Sequence, residues 1–199
     1  MRTSRLLRML CLLGTMMAFA VLAGCSQVRS MLGMDRRSAS EQAEEVTEDM
    51  KTDAHVMAVL HESNLGEISA GNIARTRATD AEVRDFAAMM VRDHSDLDRQ
   101  GSEMARRWMI TPMLPDNTVP DLVRREIDAL NAASSGTSFD RVYMDYQVVD
   151  HQRTLGVVDA ATGMAQRPEL RTMLRDQVRP VVASHLSRAQ TIQARIGRP

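Results

Sequence analysis

The sequence predicts an all-α fold: a ferritin-like antiparallel four-helix bundle with a long crossover carrying a short extra helix. Three observations lead there. From Thr52 onward apolar residues recur every three or four positions, whereas the sustained alternation that strands require is missing and aromatics make up only 3% of the chain. Capping signals and prolines divide this region into four long segments. Two of the links between them are tight and one is long, which is the connectivity of ferritin-like bundles.

The N-terminus is built differently. Arg2, Arg5 and Arg8 precede an apolar stretch that ends in Leu22-Ala23-Gly24-Cys25. A basic start, a short apolar run and a small-residue box make a secretory leader over 1–24. The uninterrupted apolar run after Gly14 is shorter than the roughly 20 residues of a spanning helix. A cysteine at the cleavage point marks a bacterial lipoprotein, so Cys25 is the expected lipidation site. The expected location is the outer membrane, facing the periplasm, because Ser26 follows where an aspartate would signal inner-membrane retention. With Cys11 removed and Cys25 acylated, the mature chain has no thiol and no disulfide. Residues 25–51, the lipidated cysteine and a polar stretch, read as a tether, with a helical tendency near 41–50. As flexible coil it would reach on the order of 28 Å.

The helical region is expected to span 52–198. Helix one occupies about 52–77. Helix two starts at Thr79-Asp80, where Glu82 is spaced as a capping-box acid after Thr79. Its face runs Val83, Phe86, Met90, His94, Leu97, Gly101, Met104 and Trp108, and Pro112 and Pro115 end it. The crossover holds a short helix near 120–131. Gly136-Thr137-Ser138 caps helix three, about 139–165. Pro168 opens helix four at a position where its missing N–H costs nothing. Pro180 interrupts that helix, freeing the carbonyl of Asp176 and kinking the rod.

Three of the five histidines, His94, His151 and His185, fall within apolar stripes. Helix one places Glu67 inward in the stripe Met57, Leu60, Asn64, Glu67, Gly71, Ala74. His151 lies about 16 residues before the turn at 167 and His185 about 18 after it, within roughly 3 Å in height at 1.5 Å per residue. One ligand-type residue per helix at mid-bundle suits a transition metal such as zinc, iron or copper. A buried His–Glu–Tyr hydrogen-bond network through Tyr143 or Tyr146 accounts for the same residues without an ion. The residues three before the inward histidines are Val91, Val148 and Val182, so the Glu-x-x-His pattern of di-iron bundles is missing and no bridging carboxylate pair is evident. Asp93 and Asp150 turn about 100° away and read as orienting or solvated groups. His55 and His61 read as surface or rim, and most mature methionines fall at core spacing.

Of 25 Lys and Arg residues three lie in the leader, leaving 22 against 26 acidic residues in the mature chain. No basic stripe survives, which excludes nucleic acid as an expected partner. No phosphate-binding glycine loop, nucleophile elbow, Cys-x-x-Cys or His-Glu-x-x-His is present in the sequence.

Three blocks carry a family resemblance. The first is His61-Glu62-Ser63-Asn64-Leu65-Gly66-Glu67-Ile68 with Gly71, Ala74 and Met89-Met90-Val91-Arg92-Asp93-His94; the second is Gly136 to Tyr143, continuing to Gln147 and His151; the third is Pro180 with His185-Leu186. In this order they resemble a bacterial envelope family of ferritin-like helical domains, catalogued as a domain of unknown function (four-one-four-two). The resemblance implies a periplasmic or outer-membrane bundle and brings no settled activity. Its motif positions are Glu67, Asp93, His94, Phe139, Asp140, Tyr143, His151 and His185, which adds Asp93, Asp140 and Tyr143 as supporting residues around the candidate ligands. Arg179 departs from the leucine that the family commonly shows before Pro180.

The expected function is a non-enzymatic structural, binding or stress-related role of a membrane-tethered helical lipoprotein, with a mid-bundle metal at Glu67, His94, His151 and His185. One alternative is a ferritin-like metalloenzyme acting on peroxide or metal ions. Another is an interaction module that meets an envelope protein through an apolar patch, traced by Trp108-Met109-Ile110.

Overall fold

The computed structural model describes residues 37–197, in which every regular element is a helix. The leader 1–24 and Cys25 lie outside the described residues. Among the described residues no helix is long and apolar enough to cross a membrane.

Helix α1 (Ala39–Glu48) opens on a capping box: the Ser38 hydroxyl accepts from the Glu41 amide, and the Glu41 carboxylate accepts from the Ser38 N–H. It packs on α5 (Thr137–Met164), burying Gln42, Ala43, Val46 and, just beyond its end, Met50. The second half of the expected tether therefore belongs to the folded unit. Its small apolar face is spaced by three and four residues, and Gly156 lets it approach, since a Cβ there would lie 2.8 Å from that of Ala43.

Helices α2 (Asp53–Arg77) and α3 (Ala81–Trp108) form a tight antiparallel pair. Thr52 caps α2 through the His55 amide. At α3 the cap differs from expectation: Asp80 accepts from the amides of Glu82 and Val83, while the Thr79 hydroxyl donates to Asp140. The pair approaches closely at Gly71, where a Cβ would meet Val91 Cγ2 at 2.8 Å and the carbonyl of Ala87 at 3.0 Å. Met109, in the left-handed region at φ 55°, ends α3.

The crossover helix α4 (Thr118–Ala132) lies against α2 and α5. Arg77 closes its C-terminal end, donating to the carbonyls of Leu130 (2.6 Å) and Ala133 (2.7 Å) while its guanidinium sits over Phe139. Gly136 at φ 86° then starts α5 without a side-chain cap.

The fourth rod is α6 (Pro168–Met173), a π-helical turn over Leu174–Val178, and α7 (Arg179–Ile196). Pro168 stands at its first turn, as expected. The disturbance expected from Pro180 is taken up just ahead of it: the Arg179 N–H donates to the Leu174 carbonyl five residues back, so the extra residue widens the helix. Arg179 is held outside by the Asp159 carboxylate at 2.7 and 3.2 Å. The pairs Asp159–Arg179 and Asp145–Gln193 run α7 antiparallel to α5. The α2–α3 and α5–α7 pairs face each other through Phe86, Met90, Tyr143, Leu174 and Ile192, all buried, with Phe86 meeting the Tyr143 ring edge-on.

Candidate metal centre

Each inward stripe delivers one histidine to the same level: His94 from α3, His151 from α5 and His185 from α7. All three are buried, and their ring centroids stand 5.9, 5.3 and 5.4 Å apart. One ring nitrogen of each lies within 4.8 Å of the others.

Hydrogen bonding decides which nitrogen carries the proton. His94 Nδ1 faces the Asn64 amide oxygen at 2.9 Å, His151 Nδ1 faces the backbone carbonyl of Gln147 at 2.9 Å, and His185 Nε2 faces the Asp93 carboxylate at 3.1 Å. All three partners accept, so each of these nitrogens donates. The remaining nitrogens, His94 Nε2, His151 Nε2 and His185 Nδ1, are buried with no hydrogen-bond partner among the described residues, and each carries a lone pair. Burial holds the rings neutral. It pushes His151 down to about 4 and His94 well below its ordinary value, where the other two imidazoles add to the effect; it lowers His185 too, against the pull of Asp93. Three lone pairs facing a site with no donor is an arrangement that polar groups avoid unless a cation or donor meets them.

Glu67 comes to the same centre from another side. Its Oε1 lies 3.7 Å from His151 Nδ1, the nitrogen already bonded to Gln147, and its Oε2 accepts from Gln147 Nε2 at 2.8 Å. The group close enough to share one ion is therefore the three histidines, with Glu67 beside it. Burial, then the charge of Asp150, raises the Glu67 carboxyl to about 7. Behind it stand Glu126, raised well above the usual range by burial and by Asp150 and Glu67, and Asp150, which is bonded to Arg153 at 2.7 Å. The sequence showed no carboxylate pair, yet the fold gathers three. Glu126 was missed because it sits on the crossover; its signal is an acid within the α4 face Val119, Val123, Glu126, Leu130.

The supporting residues separate. Asp93 orients His185. Tyr143 is buried near Glu67 and Glu126, and its hydroxyl has no hydrogen-bond partner among the described residues. Asp140 is elsewhere: its carboxylate accepts from the Thr79 amide (3.0 Å), the Thr79 hydroxyl (2.7 Å) and the Asp80 amide (2.9 Å), tying the start of α5 to the α2–α3 turn. From Asp140 to His151 is eleven residues, about 16 Å along a helix, so Asp140 braces the bundle end. Asn64, which fixes the His94 tautomer, was visible in its stripe without that role.

A cavity of about 110 Å³ reaches His94, His151 and Glu67 from outside between apolar walls that include Leu60, Leu97, Met173 and Val182. At the end of α3, Met109 is exposed while Trp108 lies half-buried with the Arg167 guanidinium 5.0 Å from its ring centroid.

A family described as a domain of unknown function (DUF4142) matches residues 36–192. The chain belongs to that family. The DUF4142 match starts ahead of α1, in agreement with the packing of that helix, and covers all three histidines. No curated protein and no solved structure matches the chain.

Proposed function

We propose that the protein is a transition-metal-binding domain in which His94, His151 and His185 hold one ion. The observation that carries this reading is the set of three buried, unpartnered lone-pair nitrogens, one per ring. Neutral nitrogen donors suit zinc first, then copper and iron. Bonds of about 2.0–2.1 Å at tetrahedral angles require nitrogens about 3.3 Å apart, so an ion would draw together atoms that lie within 4.8 Å of one another. Asn64, the Gln147 carbonyl and Asp93 would then serve as the acceptors that orient ligand imidazoles. Glu67 supplies a nearby group for the fourth position.

In this reading the four long rods, α2, α3, α5 and α6–α7, are a ferritin-like four-helix bundle, with α4 as the crossover. The leader and the Cys25 box support an outer-membrane lipoprotein facing the periplasm, where the domain serves a binding or stress-related role rather than catalysis. A metalloenzyme acting on peroxide or metal ions is the second reading. It is favoured by one observation, the cavity that reaches His94 and His151, since an enzyme needs an open coordination position and a path to it.

The test is metal content by mass spectrometry on the full-length protein purified in detergent without chelator or affinity metal. Near one equivalent of a single metal is expected, lost in His94→Ala, His151→Ala and His185→Ala. Wild-type protein that stays empty after reconstitution with zinc, copper, iron and manganese would leave a metal-free hydrogen-bond network.

A further inference from the structure

The cavity has a polar pair that the three-histidine centre does not use. His61 of α2 and Asp98 of α3 both line it, and His61 Nδ1 meets Asp98 Oδ1 at 2.6 Å. A carboxylate behind an imidazole is the arrangement that also holds His185, and in the neutral ring it leaves Nε2 with its lone pair. The two imidazoles differ in exposure. The side chains of His61 and Asp98 are 41% and 19% exposed, against 2% for that of His185.

Position along the rods gives their relation to the centre. His61 is three residues from Asn64 and Asp98 four from His94. The pairs Asn64–His94 and His61–Asp98 are therefore successive rungs between α2 and α3, about 4.5–6 Å apart along the axis. Neither Lys nor Arg lines the cavity, whereas Asp98 and Glu67 both do.

A hydrated divalent cation cannot cross apolar walls by shedding its water all at once, because desolvating an ion costs several kcal/mol even after the protein relaxes. It has to exchange waters for protein donors in steps. The outermost imidazole and carboxylate on this route are His61 and Asp98, and the next rung inward brings Asn64 and His94.

We infer that His61 and Asp98 form the capture site for a divalent transition metal, taking the ion from water at the cavity mouth and passing it inward to His94. The role is kinetic: the pair binds the ion transiently and is absent from its final coordination. This rests on the metal-binding reading above.

Stopped-flow mixing of cobalt(II) chloride with metal-free full-length protein, followed by the visible absorption of nitrogen-coordinated cobalt, tests it. Asp98→Asn and His61→Gln are each expected to slow loading by about tenfold, the lower end of what a charged, donor-lined cleft adds to an on-rate. Release into excess chelator should slow by the same factor, leaving final stoichiometry and affinity as in the wild type. His61→Gln leaves the Asp98 carboxylate in place, so its slowing reports the loss of the imidazole donor at the mouth. Wild-type loading rates in both variants overturn the capture role while leaving the centre intact. A lost final affinity in His61→Gln also overturns it, making His61 a permanent ligand. Wild-type protein that takes up no cobalt overturns the metal reading and this inference together.

Discussion

Glu67→Gln should change how the stability of the metal-free protein depends on pH, and the size of the change follows from its surroundings. Burial, reinforced by Asp150, raises the Glu67 carboxyl from 4.5 to about 7 against the opposing Gln147 hydrogen bond and Arg153. Between pH 4.5 and 7 the folded chain keeps a proton there that the unfolded chain has lost. The folded state binds more protons, so its stability falls as pH rises through that window. A tenfold difference in proton affinity between the two states is worth about 1.4 kcal/mol, giving about 3 kcal/mol across the window. His151 works in the opposite sense. Its folded value of about 4 lies below the ordinary 6.5, so its contribution is complete above 6.5 and is lost as pH falls toward 4. Glutamine keeps an oxygen to accept from Gln147 but has no proton to lose. Relative to the wild type, Glu67→Gln should therefore gain about 3 kcal/mol between pH 4.5 and 7 and become more sensitive to acid. Urea denaturation of both proteins in chelator at pH 4.5, 5.5 and 7 measures the gap. A gap that stays constant across the three pH values refutes the reasoning.

Two further expectations separate bracing from binding. Asp140→Ala removes the acceptor of three hydrogen bonds at the bundle end and should cost about 2–4 kcal/mol in thermal or urea denaturation, with metal content unchanged; loss of metal at full stability would contradict its placement. Gly71→Ala forces a Cβ against Val91 and the Ala87 carbonyl and should cost about 1–3 kcal/mol, whereas Gly163→Ala meets nothing within 4 Å and should stabilise α5 by about 0.5–1 kcal/mol. Equal effects at the two glycines would contradict the close α2–α3 approach.

Much of this was legible because it rests on local chemistry. Thr52, Asp80 and Pro168 announce helix starts through backbone donors that must be satisfied or absent, and counting residues from the turns places His151 and His185 at one height. What the chain hid depends on contacts between distant segments. Residues 39–50 look like a tether because Glu41, Glu44, Glu45 and Glu48 surround a face as small as Ala43, Val46 and Met50; only Gly156 on α5 makes that face worth burying. Glu126 reaches the centre only through where the crossover lies. The tautomers of the three imidazoles are set by Asn64, by a backbone carbonyl and by Asp93, and no spacing rule reveals which nitrogen each leaves bare. Asp140 shared a motif with true neighbours of the site yet sits three turns away.

The π turn at Leu174–Val178 bears on how this centre tolerates change in chain length. One residue added to an α-helix rotates everything beyond it by about 100° and advances it by 1.5 Å. His185 lies beyond that turn, and the Leu170 and Leu174 side chains that seat the rod lie before it or at its start. The phase of the fourth rod is thus set in two parts, with the surplus residue as the joint. Removing one residue between Leu174 and Val178 would restore regular α geometry and keep α6 seated. Closing the turn to regular α geometry without removing a residue would instead swing the face of His185, Ala189 and Ile192 about 100° away from His94 and His151. The irregularity is a phase correction, and the convergence of the three imidazoles depends on the wide turn absorbing its surplus residue.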